Sequence, residues 1–437
     1  MKRVWGLLRP MSGAVLLFGV LTILRPPIVG PSLLCAAATE EIVLGAPTSL
    51  GTLEGAESLK AARLAVDEVN AAGGVRVGGR VCRLRLEPCD LNDAAGRVRP
   101  EEAVARLERF IREQAPDVIL IGPFRSEVLL ASMDLLARHR IPTLVSIAMS
   151  PAVDAKILSD PRYRCIFRLS LSTRYLAARL IEALQMMRRE FAFDKILILN
   201  QDVAWARSTI SLLLKVYLDR SDWKVTGQEN LSGETVDFSR FLNKARADGA
   251  HVILTIFDAP ACGNLIEQWH TLKPPAVLCG FLSPAIGPGA WEAFGGRLEG
   301  VINVIFELGN LPSSRYAPAA AFYEAFEAAY GAPIEAGHGP APSYESVYVF
   351  AEAIERAGSL EPEGVIAALE ATDRQGSMGR LRFHRGHQAI FGEDPYIEAL
   401  ACVVQWQASG RRVIVHPAAI AEGPIALPDF VRRGRVE

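Results

Sequence analysis

The turn SIAMSPAV, residues 146–153, carries polar side chains directly after an apolar run. Ser146 and Ser150 can each donate and accept hydrogen bonds. Met149 stands beside Ser150, where a binding turn would more often carry a hydroxyl, and its thioether is a weak acceptor and no donor. The turn predicts recognition of a polar group. Met149 would then form an apolar wall or, as the alternative, pack beneath the loop.

The usual signatures of enzymes are absent from the sequence. It has no Gly-x-Ser-x-Gly elbow, no His-Glu-x-x-His, no Gly-Lys-Ser/Thr phosphate loop and no Gly-x-Gly-x-x-Gly after a strand. His384 and His387 form a close histidine pair without a convincing third ligand, which favours surface histidines over a metal site. We therefore expect a protein that is not an enzyme and holds no metal or cofactor, with an unrecognised triad as the alternative.

Five compact apolar runs suit parallel strands that are buried on both faces. Amphipathic stretches such as SLKAARLAVDEVNAAGG separate them, so the alternation predicts an α/β architecture of two doubly wound parallel-sheet lobes. In open parallel sheets, ligands bind beyond the carboxyl ends of the strands. This rule selects the loops after residues 123, 148, 200, 258 and 281. The predicted strands are 41–46, 116–123, 141–148, 194–201 and 250–258.

The composition supports a folded protein with a small-molecule ligand. The chain has 437 residues, of which 50% are hydrophobic and 22% charged, enough for about two or three domains. A formal net charge of −2 gives no basic surface for nucleic acid. We expect a monomer.

The N-terminus is typical of a secretory signal peptide over residues 1–38. Lys2, Arg3 and Arg9 precede a run of 14 apolar residues, MSGAVLLFGVLTIL, and Ala36 and Ala38 fit the small-residue rule for cleavage. An uncleaved anchor is the alternative. Export to the periplasm would follow, and the bulky residue before Cys35 counts against a lipid anchor.

From residue 41 to about residue 410, the order of motifs resembles type I periplasmic solute-binding proteins of ABC importers. The branched-chain amino-acid (Leu/Ile/Val) group is the most similar. The motifs are RLAVDEVNAAGGV, PDVILIGPFRSEV, IPTLVSIAMSPAV, KILILNQDVAWARS, GAHVILTIFDAPACGNLIEQ, SYESVYVFAEAIERAG and GSMGRLRFHRGH. The resemblance implies a receptor of two lobes joined by a hinge, which closes on a solute and presents it to a membrane permease. The lobes would be 41–160 plus 300–375 (N-terminal) and 161–299 plus 376–437 (C-terminal).

The resemblance also implies which residues of the N-terminal lobe bind the ligand. Ser126 stands where the family offers a serine to the ligand's carboxylate, although it could simply cap its helix. Ala148 matches the family's backbone contact, and Met149 replaces a threonine whose hydroxyl holds the amino-acid head group. Ser150 is the alternative polar contact after a shift of one residue.

In the C-terminal lobe, the resemblance assigns five further positions. Asn200 and Trp205 replace two tyrosines, and Trp205 keeps an aromatic surface that could close over the ligand. Phe257 and Asp258 follow the next strand. Phe281 replaces the acid that pairs with the ligand's ammonium group, a role that only Asp258 could take over.

Three head-group positions have thus changed, to Met149, Asn200 and Phe281. We therefore expect a ligand more apolar or aromatic than a plain branched-chain amino acid. The alternatives are an amino-acid-binding protein that uses Asp258 for the ammonium group and a periplasmic sensor or lipid-carrier component. Cys262 and Cys279 would both lie at the ligand-facing edge of one lobe, so a disulfide between them is geometrically plausible, although the sequence leaves the pairing open.

Overall fold

The apolar runs of the sequence form parallel strands in two separate sheets. The computed structural model describes residues 40–95 and 97–434, and the signal peptide expected in residues 1–38 lies outside them. Within the described residues, six strands belong to the first sheet: β1 Glu40–Thr48, β2 Val75–Val77, β3 Arg80–Asp90, β4 Val118–Ile121, β5 Thr143–Val145 and β6 Ile166–Arg168. Their order is β2-β3-β1-β4-β5-β6, and all pairs are parallel except β2 with β3.

The second sheet repeats this pattern and ends in an antiparallel edge. Among the described residues its strands are β7 Lys195–Gln201, β8 Lys224–Leu231, β9 Val252–Phe257, β10 Val277–Leu282, β11 Ile302–Ile305, β14 Cys402–Trp406 and β15 Arg412–His416; β12 Arg374–Gly376 and β13 Gly379–Leu381 form a separate hairpin. The order is β15-β14-β11-β10-β9-β7-β8. Strands β7 to β11 are parallel, and β14 runs antiparallel to both β11 and β15.

The helices α1 to α10 follow strands of the two sheets, as expected for doubly wound lobes, and α11 to α13 lie in the later segments of the chain. They are α1 Leu53–Ala71, α2 Pro100–Gln114, α3 Ser126–His139, α4 Ala152–Ser159, α5 Thr173–Phe191, α6 Ala204–Val216, α7 Ser239–Ala247, α8 Gly263–Leu272, α9 Ala290–Ala293, α10 Ala317–Tyr330, α11 Pro340–Ala357, α12 Pro362–Glu370 and α13 Asp429–Arg433. Local signals set their ends. Thr52 caps α1 by accepting a hydrogen bond from Gly55 N–H, and proline occupies the first turn of α2 and α11.

The chain passes between the two sheets more than once. After β11 in the second sheet it returns to the first, where α11 packs against α1, β2 and β4. It then enters the second sheet again at β14. The prediction of two doubly wound α/β lobes joined by a hinge is confirmed.

After each of the lobe boundaries expected at residues 160 and 299, one more strand still joins the preceding sheet. Residues 166–168 (β6) pair within the first sheet, and residues 302–305 (β11) pair within the second. The assignment of the remaining segments to one lobe or the other stays a prediction.

Burial on both faces of the sheets explains the continuous apolar runs. All six residues of β9 are buried, and the five apolar ones alternate between two hydrophobic clusters on opposite faces of the second sheet. Among the described residues, no helix has both the length and the apolar character that a bilayer crossing requires.

The suggested disulfide between Cys262 and Cys279 is wrong. All six cysteines in the described part of the chain are free thiols. Cys279 packs in the cluster on one face of the second sheet, whereas Cys262 packs in the cluster on the other face, so the sheet separates their sulfur atoms. Burial raises the pKa of the Cys279 thiol to about 12 and that of Cys262 higher still.

Candidate functional site

A narrow cavity lies where the carboxyl ends of the two sheets face each other. Loops after β1, β4 and β5 supply one side, and segments after β7, β9, β10 and β11 supply the other. This is the position that parallel-sheet topology favours for a ligand. The cavity is lined by Glu54, Phe124, Arg125, Ser126, Ile147, Ala148, Met149, Trp205, Asp258, Phe281, Phe306 and His338.

A tight turn at the end of β4 directs the loop of residues 122–126, called here the first binding loop, into this cavity. Ile121 adopts φ +68°, and the N–H of Gly122 donates to the carbonyl of Leu120 at 2.7 Å, which defines a γ-turn. A positive φ is costly for a β-branched residue, about 1–3 kcal/mol, and such strain concentrates at functional sites. Ile121 is fully buried, so packing holds the turn that delivers Phe124, Arg125 and Ser126 to the cavity.

Ser126 joins the first two binding loops. It is the first residue of α3, and its Oγ accepts hydrogen bonds from the N–H groups of Met149 at 3.2 Å and Ser150 at 3.1 Å. The helix cap position belongs to Arg125. The hydroxyl oxygen is therefore engaged with the second loop, and only its proton remains to be donated into the cavity.

Arg125 and Asp258 form an ion pair between the two lobes. Nη1 of Arg125 lies 2.6 Å from Oδ2 of Asp258, and Nη2 lies 3.3 Å from Oδ1. Gln201 and Trp205 donate to the same carboxylate, at 2.8 and 3.0 Å. The side chains of Arg125 and Asp258 are only 15% and 9% exposed, so both charges are largely shielded from solvent. Four donors occupy the Asp258 carboxylate and leave it no free position for a ligand's ammonium group.

A second polar contact between the lobes involves Glu54, in the first turn of α1. Its Oε1 accepts a hydrogen bond from the hydroxyl of Ser283, just after β10, at 2.5 Å. Burial raises the pKa of Glu54 above its usual value, and the nearby Asp258 carboxylate adds to this effect, while the Ser283 hydrogen bond opposes it. Nearby, the Glu127 carboxylate accepts from the N–H of Ala204 at the start of α6, at 3.0 Å.

Three aromatic rings form one wall of the cavity. Phe281 and Phe306 have ring centroids 4.2 Å apart, and Trp205 meets both rings edge-on at 6.0 and 6.2 Å. Because the Trp205 indole N–H is bonded to Asp258, the orientation of this ring is fixed from two sides. The wall gives a ligand a rigid apolar surface.

Behind this wall, His338 and Glu307 connect the segments that cross between the lobes. Nδ1 of His338 lies 3.0 Å from Oε1 of Glu307, and Nε2 donates to the carbonyl of Ile147 at 2.7 Å. Burial lowers the pKa of His338, but the Glu307 carboxylate more than offsets it, so the net shift of this pKa is upward. Glu307 also accepts from the N–H groups of Leu171 and Gly339.

The backbone conformation and the packing at position 339 require glycine. Gly339 has φ +101°, and a Cβ there would lie 2.4 Å from Oγ of Ser58 in α1. Glycine thus allows the close approach that places His338 in the cavity wall.

The structure brings six of the nine sequence-predicted site residues to the cavity: Ser126, Ala148, Met149, Trp205, Asp258 and Phe281. The other three do not line it. The Ser150 hydroxyl accepts from Ala152 N–H, and the amide of Asn200 bonds to Asn230 within the sheet. Phe257 packs in the cluster on the far face of the second sheet. Contact of any of the nine with a ligand stays a prediction.

Sequence reasoning missed six lining residues: Phe124, Arg125 and Ile147, which adjoin predicted positions, and Glu54, Phe306 and His338, which do not. Phe306 follows β11 directly and Glu54 sits in the helix after β1, so the rule about carboxyl ends of strands could have selected both. His338 follows a helix rather than a strand, and no local signal indicates its role. Glu54 matters most, because it is the lining carboxylate without an ion pair among the described residues.

A group of potential metal ligands lies elsewhere, at Glu182, Glu393 and His416. Arg179 stands among them, with Nη1 3.0 Å from both Glu182 Oε2 and His416 Nε2, and Nη2 bonded to Glu393. Since this guanidinium already pairs with both carboxylates, the group is better explained as a partly exposed ion-pair network than as a metal centre.

Comparisons with known proteins all point to the same family. A Leu/Ile/Val-binding protein homolog 7 from Brucella melitensis is 23% identical over 384 residues, which are 86% of this chain and 90% of that protein. A structure from Silicibacter pomeroyi that carries the name of a branched-chain amino acid ABC transporter has a TM-score of 0.75 at 19% identity. The alignment covers 90% of this chain and all of that one.

A second solved structure is a solute-binding protein of an ABC transporter from R. palustris in complex with benzoate. It has a TM-score of 0.69 at 18% identity, covering 87% of this chain and 97% of that one. At such identities, both structures support the fold alone. The sequence model of the periplasmic binding protein family matches residues 43–408. The chain therefore belongs to the periplasmic binding protein family, whose members are substrate-binding proteins rather than enzymes.

Proposed function

We propose that this protein is an exported receptor that captures a small organic ligand between its two lobes and delivers it to an ABC-type importer. The observation that carries the proposal is the cavity at the facing sheet edges, lined from both sides and closed by Arg125 with Asp258. A ligand that contacts both lobes shifts the equilibrium towards the closed form by its differential affinity for that form. Family membership and the predicted signal peptide support export to the periplasm and delivery to a permease.

The ligand is more apolar or aromatic than leucine or valine. Support comes from the lining, where aromatic and aliphatic side chains outnumber polar ones: Phe124, Ile147, Met149, Trp205, Phe281 and Phe306. Met149 and Phe281 stand where the resembling amino-acid binders have a hydroxyl and an acid. Benzoate in the R. palustris protein is a precedent for an aromatic ligand on this fold, though in another protein.

The proposal is tested by native mass spectrometry of the protein purified from its source, followed by small-angle scattering. We expect a co-purified compound of low molecular mass, and a smaller radius of gyration with the compound than after its removal. Trp205→Ala should release the compound, and Trp291→Ala, at a tryptophan outside the cavity, serves as the control. A chain that retains no compound and does not close with any member of a broad solute panel would contradict the proposal. Tight calorimetric binding of leucine or valine would contradict the apolar preference alone.

A further inference from the structure

The charges around the cavity balance except for one carboxylate. Arg125 is paired with Asp258, and His338 with Glu307, so each pair contributes one positive and one negative group. Among residues 40–95 and 97–434, Glu54 forms no ion pair and accepts one hydrogen bond, from the Ser283 hydroxyl. Glu54 is 4% exposed. The site therefore contains one buried acid with no cation to match it.

The charged groups that could hold an anionic ligand are already engaged, and the Ser126 hydroxyl proton is a neutral donor that remains. Both terminal nitrogens of Arg125 bond to Asp258, and both ring nitrogens of His338 have partners. The N–H groups of Met149 and Ser150 donate to Ser126. A ligand carboxylate would be buried without a free cation and close to Glu54, which is costly.

The aromatic rings of the lining favour a positively charged ligand. Trp205, Phe281 and Phe306 form a continuous wall, and Phe124 lines the cavity from the first lobe. Aromatic faces attract cations through the ring quadrupole, and aromatic cages are a known means of binding ammonium groups.

From this lining we infer that the ligand is a cationic amine without a carboxylate group. Its ammonium pairs with Glu54, and a small hydrocarbon or aryl body packs against Trp205, Phe281 and Phe306. This inference rests on the proposed function, since it names the class of solute that the same cavity captures. The carboxylate that matches the ligand is thus supplied by α1 of the first lobe rather than by Asp258 of the second.

Binding of an ammonium ion at Glu54 should depend on pH. Burial raises the pKa of Glu54 and the Asp258 carboxylate adds to this, while the Ser283 hydrogen bond and the His338 ring oppose it. An ammonium ion stabilises the carboxylate form, so binding of an amine lowers the pKa of Glu54 again. Affinity for an amine should therefore increase as the pH rises through the pKa of Glu54, and Glu54→Gln should abolish the part of this dependence that Glu54 causes.

The test compares probes that have similar hydrocarbon bodies but different charged or polar groups. Calorimetry with the mature protein would use 2-phenylethylamine, isopentylamine, 2-phenylethanol, phenylacetate, phenylalanine and leucine. We expect an amine to bind at least tenfold more tightly than the alcohol, the acid and both amino acids. Glu54→Gln, which keeps an acceptor for Ser283, should weaken amine binding at least tenfold and change alcohol binding less than threefold.

Glu57→Gln is the matched control. Glu57 lies one turn further along α1, is also buried, and accepts from the N–H groups of Glu335 and Ala336 outside the cavity. Thermal melts verify that both variants fold, and Glu57→Gln should leave the order of affinities unchanged.

Preferred binding of phenylacetate, phenylalanine or leucine would overturn the inference and leave the proposed function intact. Equal amine affinity in wild type and Glu54→Gln would overturn it too, as would the failure of both amines to bind. The proposed function itself fails only if the source protein also holds no compound and closes on none.

Discussion

Arg125 and Asp258 meet across the cleft with Nη1 and Oδ2 only 2.6 Å apart, although 133 positions separate them in the sequence. The pair is largely buried and joins the two lobes. Removing one partner leaves the other charge without compensation, and an open cleft would rehydrate it.

Arg125→Gln should therefore favour the open form by about 2 kcal/mol, a factor of roughly thirty in the closed population. Small-angle scattering of the ligand-free protein should give a larger radius of gyration than for wild type. Arg99→Gln removes an exposed arginine paired with Glu102 and is the control. If both variants scatter like the wild type, the pair does not control closure.

Asp93 should make the stability depend on pH. It supports the first binding loop, since its Oδ2 accepts from Arg125 N–H at 2.8 Å, and burial raises its pKa to about 6. The folded state thus binds the Asp93 proton more strongly than the unfolded state. This contribution to the free energy of unfolding is about 3 kcal/mol. It is fully present below about pH 4 and is lost as the pH rises through about 6.

Asp93→Asn keeps an acceptor for Arg125 and should remove this slope. Urea unfolding at several pH values measures it, with the exchange of exposed Asp219 for Asn as the control. An unchanged slope in Asp93→Asn would contradict the assignment.

Glu307→Gln should destabilise the fold, because it breaks the buried pair with His338. We expect a loss of about 3 kcal/mol in the free energy of unfolding. The raised pKa of His338 means that the pair stabilises the protein below about pH 6.5 and less as the pH rises through the folded-state pKa. Chemical unfolding at about pH 6 and about pH 9 should show this decrease in wild type but not in the variant. A decrease of equal size in both proteins would exclude His338 as its source.

Cys262 and Cys279 should be recovered as free thiols. Alkylation should be slow in the native protein, because both thiols are buried and their pKa values are raised, and complete after unfolding without reductant. Non-reducing peptide mapping provides the measurement, and half-buried Cys89 should react first. A peptide that links residues 262 and 279 would contradict the arrangement on opposite faces of the sheet.

The elements could be predicted from the sequence because a parallel strand that is buried on both faces leaves a local signature. The expected runs 194–201 and 250–258 match β7 and β9 within two residues at each end. The rule that ligands lie beyond the carboxyl ends of such strands then selects the loops that contain Ser126, Met149 and Asp258.

The roles of single side chains were harder to predict because they depend on contacts between distant segments. Phe257 and Phe281 both come at strand ends, yet alternation along a strand sends one to the far face of the sheet and the other to the cavity. Asp258 looked like a free acid because Arg125, Gln201 and Trp205 are far from it in sequence. The position of Cys279 relative to Cys262 also depends on which face each residue occupies.

The hydrogen bonds of Ser126 have a consequence for any attempt to redesign this receptor as a biosensor. Three successive residues serve three different contacts: Arg125 reaches Asp258, Ser126 holds the Met149 loop, and Glu127 reaches the start of α6. The contacts that shape the ligand site and the contacts that hold the lobes closed, on which the signal of a sensor would depend, therefore lie in one short segment. A substitution at Met149 that displaces its N–H would disturb closure as well as recognition. Phe281 and Phe306 contact the cavity only through their rings, so they are the positions where a new analyte could be accommodated without reducing the response.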